Sequence, residues 1–122
     1  MNTLEVGKKL VEMCNSGQHM QAVEALYSPD VVSVEAQSMP NMPAEMRGIQ
    51  AVIGKGKWWN ENHEIHSSTC KGPFPNGDRF ACVFTFDVTN KPSKQRFQME
   101  EVALYTVKDG KIVREEFFYV GG

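Results

Sequence analysis

Near the end of the chain, Gln95 to Lys108 and Lys111 to Val120 are two long alternating runs separated by Asp109-Gly110. Glycine accepts the positive φ that a tight turn needs, so Asp-Gly between such runs predicts a β-hairpin. Both arms are longer than the usual strand of about 5–6 residues. They also carry carboxylates among their aromatic residues. In a half-buried sheet that mixture makes either a solvated face or a polar pocket.

The segment before the hairpin has the same periodicity. From Arg79 to Thr89, Phe80, Cys82, Phe84, Phe86 and Val88 alternate with Ala81, Val83, Thr85 and Asp87, which is the pattern of a strand with one buried face. Glu64–Lys71 reads as another strand, with turns over Gly72–Asp78 and Asn90–Lys94. The first half of the chain is helical in period. Thr3 is placed to cap a helix running to about Cys14, with Val6, Leu10, Met13 and Cys14 on one face. A second helix spans about Gln18–Tyr27, and Ser28-Pro29-Asp30 stops it. A third begins at Ala44 or Ile49 and ends at Asn62, with Ile49, Val52, Ile53 and Trp59 sharing a face. Gly54 and Gly56 each weaken it by roughly 1 kcal/mol relative to alanine, and they would permit close packing against a sheet. Between these helices, Val31–Ala36 reads as a short strand. The loop Gln37–Pro43, with Met39 and Met42, either covers a cavity or simply packs down.

Helices followed by long strands indicate an α+β domain with the helices on one face of a mainly antiparallel sheet. At 122 residues, one domain over 1–122 is expected. Val83, Val102, Leu104, Ile112 and Phe118 fall on the other sheet face, and a homodimer packed sheet to sheet would cover them.

Composition narrows the partners. The net charge is −2 and the basic residues are scattered, which argues against nucleic acid. No apolar run suits a signal peptide or a membrane span. Cys14, Cys70 and Cys82 are odd in number and widely spaced, so they form neither a disulfide framework nor a zinc pattern. Reduced thiols in a cytoplasmic protein are expected.

Several local motifs resemble the nuclear transport factor 2-like superfamily, in its SnoaL-like and ketosteroid isomerase-like branch. They are Asn15-Ser-Gly17, Ala25-Leu-Tyr27 before Asp30-Val-Val32, Arg47-Gly48, and Asp109-Gly-Lys-Ile112. The resemblance implies a cone-shaped, cystatin-like fold, three N-terminal helices packed on a curved sheet, and a cavity inside the cone. It implies a small apolar or aromatic ligand, no cofactor and, if chemistry occurs, isomerisation, cyclisation or dehydration by proton transfer. The fold alone does not decide between catalysis and plain ligand binding or dimerisation. The base of ketosteroid isomerase falls on or beside Glu35. Its oxyanion-hole tyrosine and aspartate fall near Leu10 and Ala103, neither of which can donate a side-chain hydrogen bond.

The same resemblance puts Phe84, Phe86, Met99, Glu101, Tyr105, Glu115, Phe117 and Tyr119 on the cavity side. Glu35 is the base candidate, with His63, Glu101, Tyr105 or Tyr119 as acid or hydrogen-bond partner. Buried carboxylates in apolar surroundings titrate high, which suits acid–base work. Equally, Glu101 and Glu115 could sit at the rim, paired with Arg96, Arg114 or Lys111. Trp59 is placed either to flank the cavity or to pack in the core. His63 and His66 lack a third ligand at suitable spacing, so no metal is expected.

Overall fold

The computed structural model describes residues 1–39 and 41–120. Pro40 of the methionine-bearing loop lies outside the described residues, as do Gly121 and Gly122 at the end of the expected domain. Helix α1 spans Thr3–Asn15, α2 His19–Leu26 and α3 Ile49–Asn62. The strands are β1 Tyr27–Val34, β2 Glu45–Arg47, β3 His63–Asn76, β4 Arg79–Asn90, β5 Gln95–Lys108 and β6 Lys111–Phe118. They form one sheet in the order β2-β1-β6-β5-β4-β3. Among the described residues, only the β1–β6 pair is parallel. The class is α+β, as the sequence implies.

Local chemistry accounts for most element ends. Asn2, rather than Thr3, caps α1: its side chain accepts from the Glu5 backbone N–H while the Glu5 carboxylate accepts from the Asn2 N–H. This reciprocal pair satisfies two otherwise orphaned donors. The first strand starts at Tyr27, directly out of α2, four residues earlier than the sequence suggests. Ser28-Pro29-Asp30 bulges within it instead of separating helix from strand, since Tyr27 pairs with Ile112 and Val32 with Arg114. Likewise β3 continues through Gly72-Pro73 to Asn76, with a register shift between Lys71 and Phe74. The expected turn over Gly72–Asp78 contracts to Gly77-Asp78.

The β4 alternation is realised as read. Phe80, Cys82, Phe84 and Val88 are buried, and Phe86 packs against the core. The inner face of β5 carries Ala103, Tyr105 and Val107. On β6 the pattern needs correction. Ile112, expected on the outer face, is fully buried. Val107 pairs with Ile112 and Thr106 with Arg114, which makes Val113 an extra residue. A one-residue bulge flips the face presented on either side of it. Ile112 therefore joins Tyr27 and Val107 in the core, while Glu115 and Phe117 keep their inward direction. Helix α1 packs on β3 and β4, α2 on α1 and α3, and α3 on β1, β2 and β3. Among the described residues, no helix is long and apolar enough to cross a membrane.

Candidate active site

Between the helices and the inner sheet face lies a cavity of about 1010 Å³, at the upper end of the range for small-molecule sites. One wall is aromatic. Trp59 stacks on His63 at 3.8 Å between ring centroids, and Phe84 lies parallel to Phe86 at 6.0 Å. Phe97 meets the His63 ring edge-on at 6.3 Å. His63 Nδ1 lies 3.0 Å from the Trp59 carbonyl. A carbonyl only accepts, so Nδ1 carries the proton, and in the neutral ring Nε2 is left as an acceptor.

The opposite wall is polar, and three elements build it. On β1 the inward alternation runs Val31, Ser33 and continues to Glu35, one residue past the strand; Val31 and Ser33 are fully buried. From α3, Lys55 reaches across to this strand. Its Nζ donates to Ser33 Oγ at 2.6 Å and to Glu35 Oε2 at 2.8 Å, and lies 4.9 Å from the centroid of the Phe117 ring. From β6, Glu115 is 2% exposed. It accepts from Ser33 Oγ at 2.7 Å and from the Tyr27 hydroxyl, and its carboxylate is 3.8 Å from Lys55 Nζ. The Tyr119 hydroxyl donates to the other Glu35 oxygen at 3.1 Å.

Glu101 faces the same chamber from β5 and makes no side-chain hydrogen bond among the described residues. Burial pushes its carboxyl up to about 7, the charge of Glu35 adds to the rise, and Lys55 partly offsets it. The cause is desolvation of a charge beside a like charge. Burial and the neighbouring Glu35 likewise push the Tyr119 phenol up to about 12.

The candidate residues therefore separate. Glu35, His63, Glu101, Trp59, Phe84, Phe86, Met99, Glu115, Phe117 and Tyr119 all line the cavity. Tyr105 does not: it lies behind the wall, fully buried and stacked on Phe80 at 4.9 Å. Its hydroxyl is close enough to Tyr27 to influence that phenol but makes no hydrogen bond of good geometry. The arginine pairings considered for the carboxylates do not form. Arg96 binds Asp87 in a fork, and Arg114 binds Glu116. His66 bonds Thr89 on the surface. Among the described residues, no group of three or more His, Cys, Asp or Glu side chains is placed to hold a metal ion. The three cysteines are unpaired. Cys14 and Cys70 line the cavity, where Cys14 Sγ lies 3.4 Å from His19 Nδ1. His19 is open to water within the cavity, yet burial among protein atoms still lowers its ring's proton affinity.

Lys55, Ser33 and Tyr27 are site residues that sequence patterning passes over. Lys55 has a legible signal. It sits three residues after Val52 and four before Trp59, on the stripe that faces the core. A lysine on such a stripe calls for a buried acceptor.

A chain of this shape has close counterparts among solved structures. A candidate SnoaL-like polyketide cyclase from Mesorhizobium loti shares 43% identity over 98% of this chain and 100% of its own, with a TM-score of 0.92. A protein of unknown function with a cystatin-like fold from Xanthomonas campestris is 23% identical, covering 99% and 92%, with a TM-score of 0.75. An NTF2-like protein of unknown function from Burkholderia pseudomallei is 18% identical, covering 98% and 92%, with a TM-score of 0.78. No functionally curated protein matches the chain. The SnoaL-like domain model matches residues 1–119, and the chain belongs to that family.

Proposed function

We propose that this protein is a cofactor-independent enzyme, a single SnoaL-like domain that moves a proton on a flat, largely apolar molecule held in the cone-like chamber. The single observation that carries the reading is the unlike pair of carboxyl groups lining one chamber. Glu35 is held by two donors, whereas Glu101 has none and keeps its proton up to about 7. A carboxylate held by donors beside a carboxyl group whose proton affinity is raised by burial is what acid–base catalysis near neutral pH requires. Glu35 would accept a proton from an acidic carbon of the substrate. Glu101 would donate a hydrogen bond, then a proton, to the oxygen on which charge develops. The aromatic wall of Trp59, His63, Phe84 and Phe86 would hold the ring system by stacking. Isomerisation, cyclisation and dehydration all use such a step, and the name of the Mesorhizobium loti relative favours cyclisation.

The test is exchange of the acidic carbon-bound hydrogen of enolisable aryl ketones in D₂O, followed by NMR. Glu35→Gln should slow exchange by roughly 10²–10⁴-fold with the fold intact. Unchanged exchange would remove Glu35 as the base. One observation favours a second reading, a non-catalytic binding protein: Glu35 is already ion-paired with Lys55. Tight ligand binding with no exchange by the unmodified protein would select that reading.

The chain also forms a homodimer in this proposal. Val83, Val102 and Phe118 make an apolar row across three neighbouring strands on the outer face; Val102 is 38% and Phe118 51% exposed. Light scattering after size exclusion should give twice the chain mass, and a stable monomer would refute it. The three unpaired thiols suit a reducing, cytoplasmic setting.

A further inference from the structure

Among the described residues, Lys55 is the only cation in the polar wall formed by β1, α3 and β6. An ammonium has three N–H groups and accepts nothing. Two of them are committed, to Ser33 and to Glu35. Ser33 has a single hydroxyl proton, which goes to Glu115, and the Tyr27 proton goes to the other Glu115 oxygen. Every donor direction is thereby fixed: Lys55 to Ser33, Ser33 and Tyr27 to Glu115, and Lys55 and Tyr119 to Glu35. The arrangement cannot reverse without stranding a donor against a donor.

Two carboxylates meet this ammonium, Glu35 just past the end of β1 at 2.8 Å and Glu115 on β6 at 3.8 Å, and Glu101 on β5 faces the same cavity. Glu115 is nearly out of reach of water and holds the chain from below. We propose that Lys55 is the positioning residue of this site: anchored by Ser33 and Glu115, it fixes the Glu35 carboxylate at the cavity wall and places its positive charge in the chamber that Glu101 faces. This inference rests on the acid–base reading for its purpose but not for its test. The groups facing Glu101 are Glu35, Lys55, Glu115 and the Tyr119 phenol. Glu35 and Glu115 raise its proton affinity and Lys55 lowers it. Lys55 thus acts on both members of the pair, holding the acceptor by contact and tuning the donor by its field.

The experiment is a pH titration of the Glu101 side-chain carboxyl carbon by NMR in glutamate-labelled protein. Lys55→Met keeps an unbranched side chain only one atom shorter and removes the charge. It should raise the Glu101 midpoint by about one pH unit. Ser33→Ala, a milder change, loosens the anchor and should move the midpoint in the same direction by less. In the unmodified protein, the Lys55 ammonium protons should give a signal protected from exchange with water. A Glu101 midpoint that is the same in folded Lys55→Met and in the unmodified protein would overturn the proposal. So would a freely exchanging Lys55 ammonium, even if neither variant folds. A Lys55-dependent midpoint in a protein without hydrogen-exchange activity would uphold this inference while removing the catalytic reading.

Discussion

Replacing Glu101 by glutamine should make the protein more stable above neutral pH and leave it unchanged in acid. The folded-state carboxyl titrates at about 7 against an ordinary value of 4.5. Its folded affinity for the proton is raised, so below 4.5 both folded and unfolded chains hold the proton and the group contributes no difference. Between 4.5 and 7 the unfolded chain ionises while the folded chain does not, and stability falls as pH rises. Above 7 the folded chain carries the charge in a desolvated site beside Glu35. Each pH unit separating the folded and unfolded midpoints is equivalent to about 1.4 kcal/mol, so the full loss is at most about 3–4 kcal/mol. Part of Glu101 faces cavity water, which lowers the figure. Glutamine keeps the shape of the side chain and has no titration. Urea unfolding of both proteins from pH 4 to pH 8.5 should give curves that meet near pH 4 and separate through pH 7, with Glu101→Gln the more stable at high pH. Parallel curves would refute the placement of Glu101 in a desolvated, like-charged site.

Packing gives two further predictions. An added Cβ at Gly7 would lie 2.7 Å from Pro73 Cβ and 3.2 Å from the Phe80 ring, whereas at Gly54 it meets nothing within 4 Å. Gly7→Ala should therefore destabilise by about 1–3 kcal/mol despite the better helix former, and Gly54→Ala should stabilise by up to about 1 kcal/mol; thermal or urea unfolding reads both, and equal effects would refute the packing. Tyr105→Phe removes a buried hydroxyl that lacks a well-formed hydrogen bond. It should be neutral or stabilising by up to about 1 kcal/mol with no effect on hydrogen exchange; a large loss of either stability or exchange would return Tyr105 to the candidate site.

The strand alternation of β4 and β5 was readable because each face of these strands keeps one environment over many residues. The polar wall and the core beside it were only partly readable, for three physical reasons. Lys55 shares the core stripe of α3 with Val52 and Trp59, and a stripe defined by apolar residues alone leaves it out. Tyr27 caps the C-terminus of α2 and starts β1, so helix periodicity and strand alternation give it different neighbours. The bulge at Val113 reverses the faces of β6 locally, which hydropathy does not register because Ile112 and Val113 are both apolar. Tyr105 fails for a different reason. It points to the correct face of β5, but it lies beside Phe80, where side chains fill the space, while Glu101, four residues away, borders the open chamber. Alternation specifies a face, whereas depth along the strand is set by what the helices cover.

A crystal structure of the Glu35→Gln protein with a bound enolisable aryl ketone would test acid–base catalysis at this site most directly. The ring system should lie against the aromatic wall of Trp59, Phe84 and Phe86, with the carbonyl oxygen within about 2.6–3.2 Å of Glu101 and the acidic carbon about 3–3.5 Å from the residue-35 side chain. A ligand seated with its carbonyl turned away from both residues would contradict it.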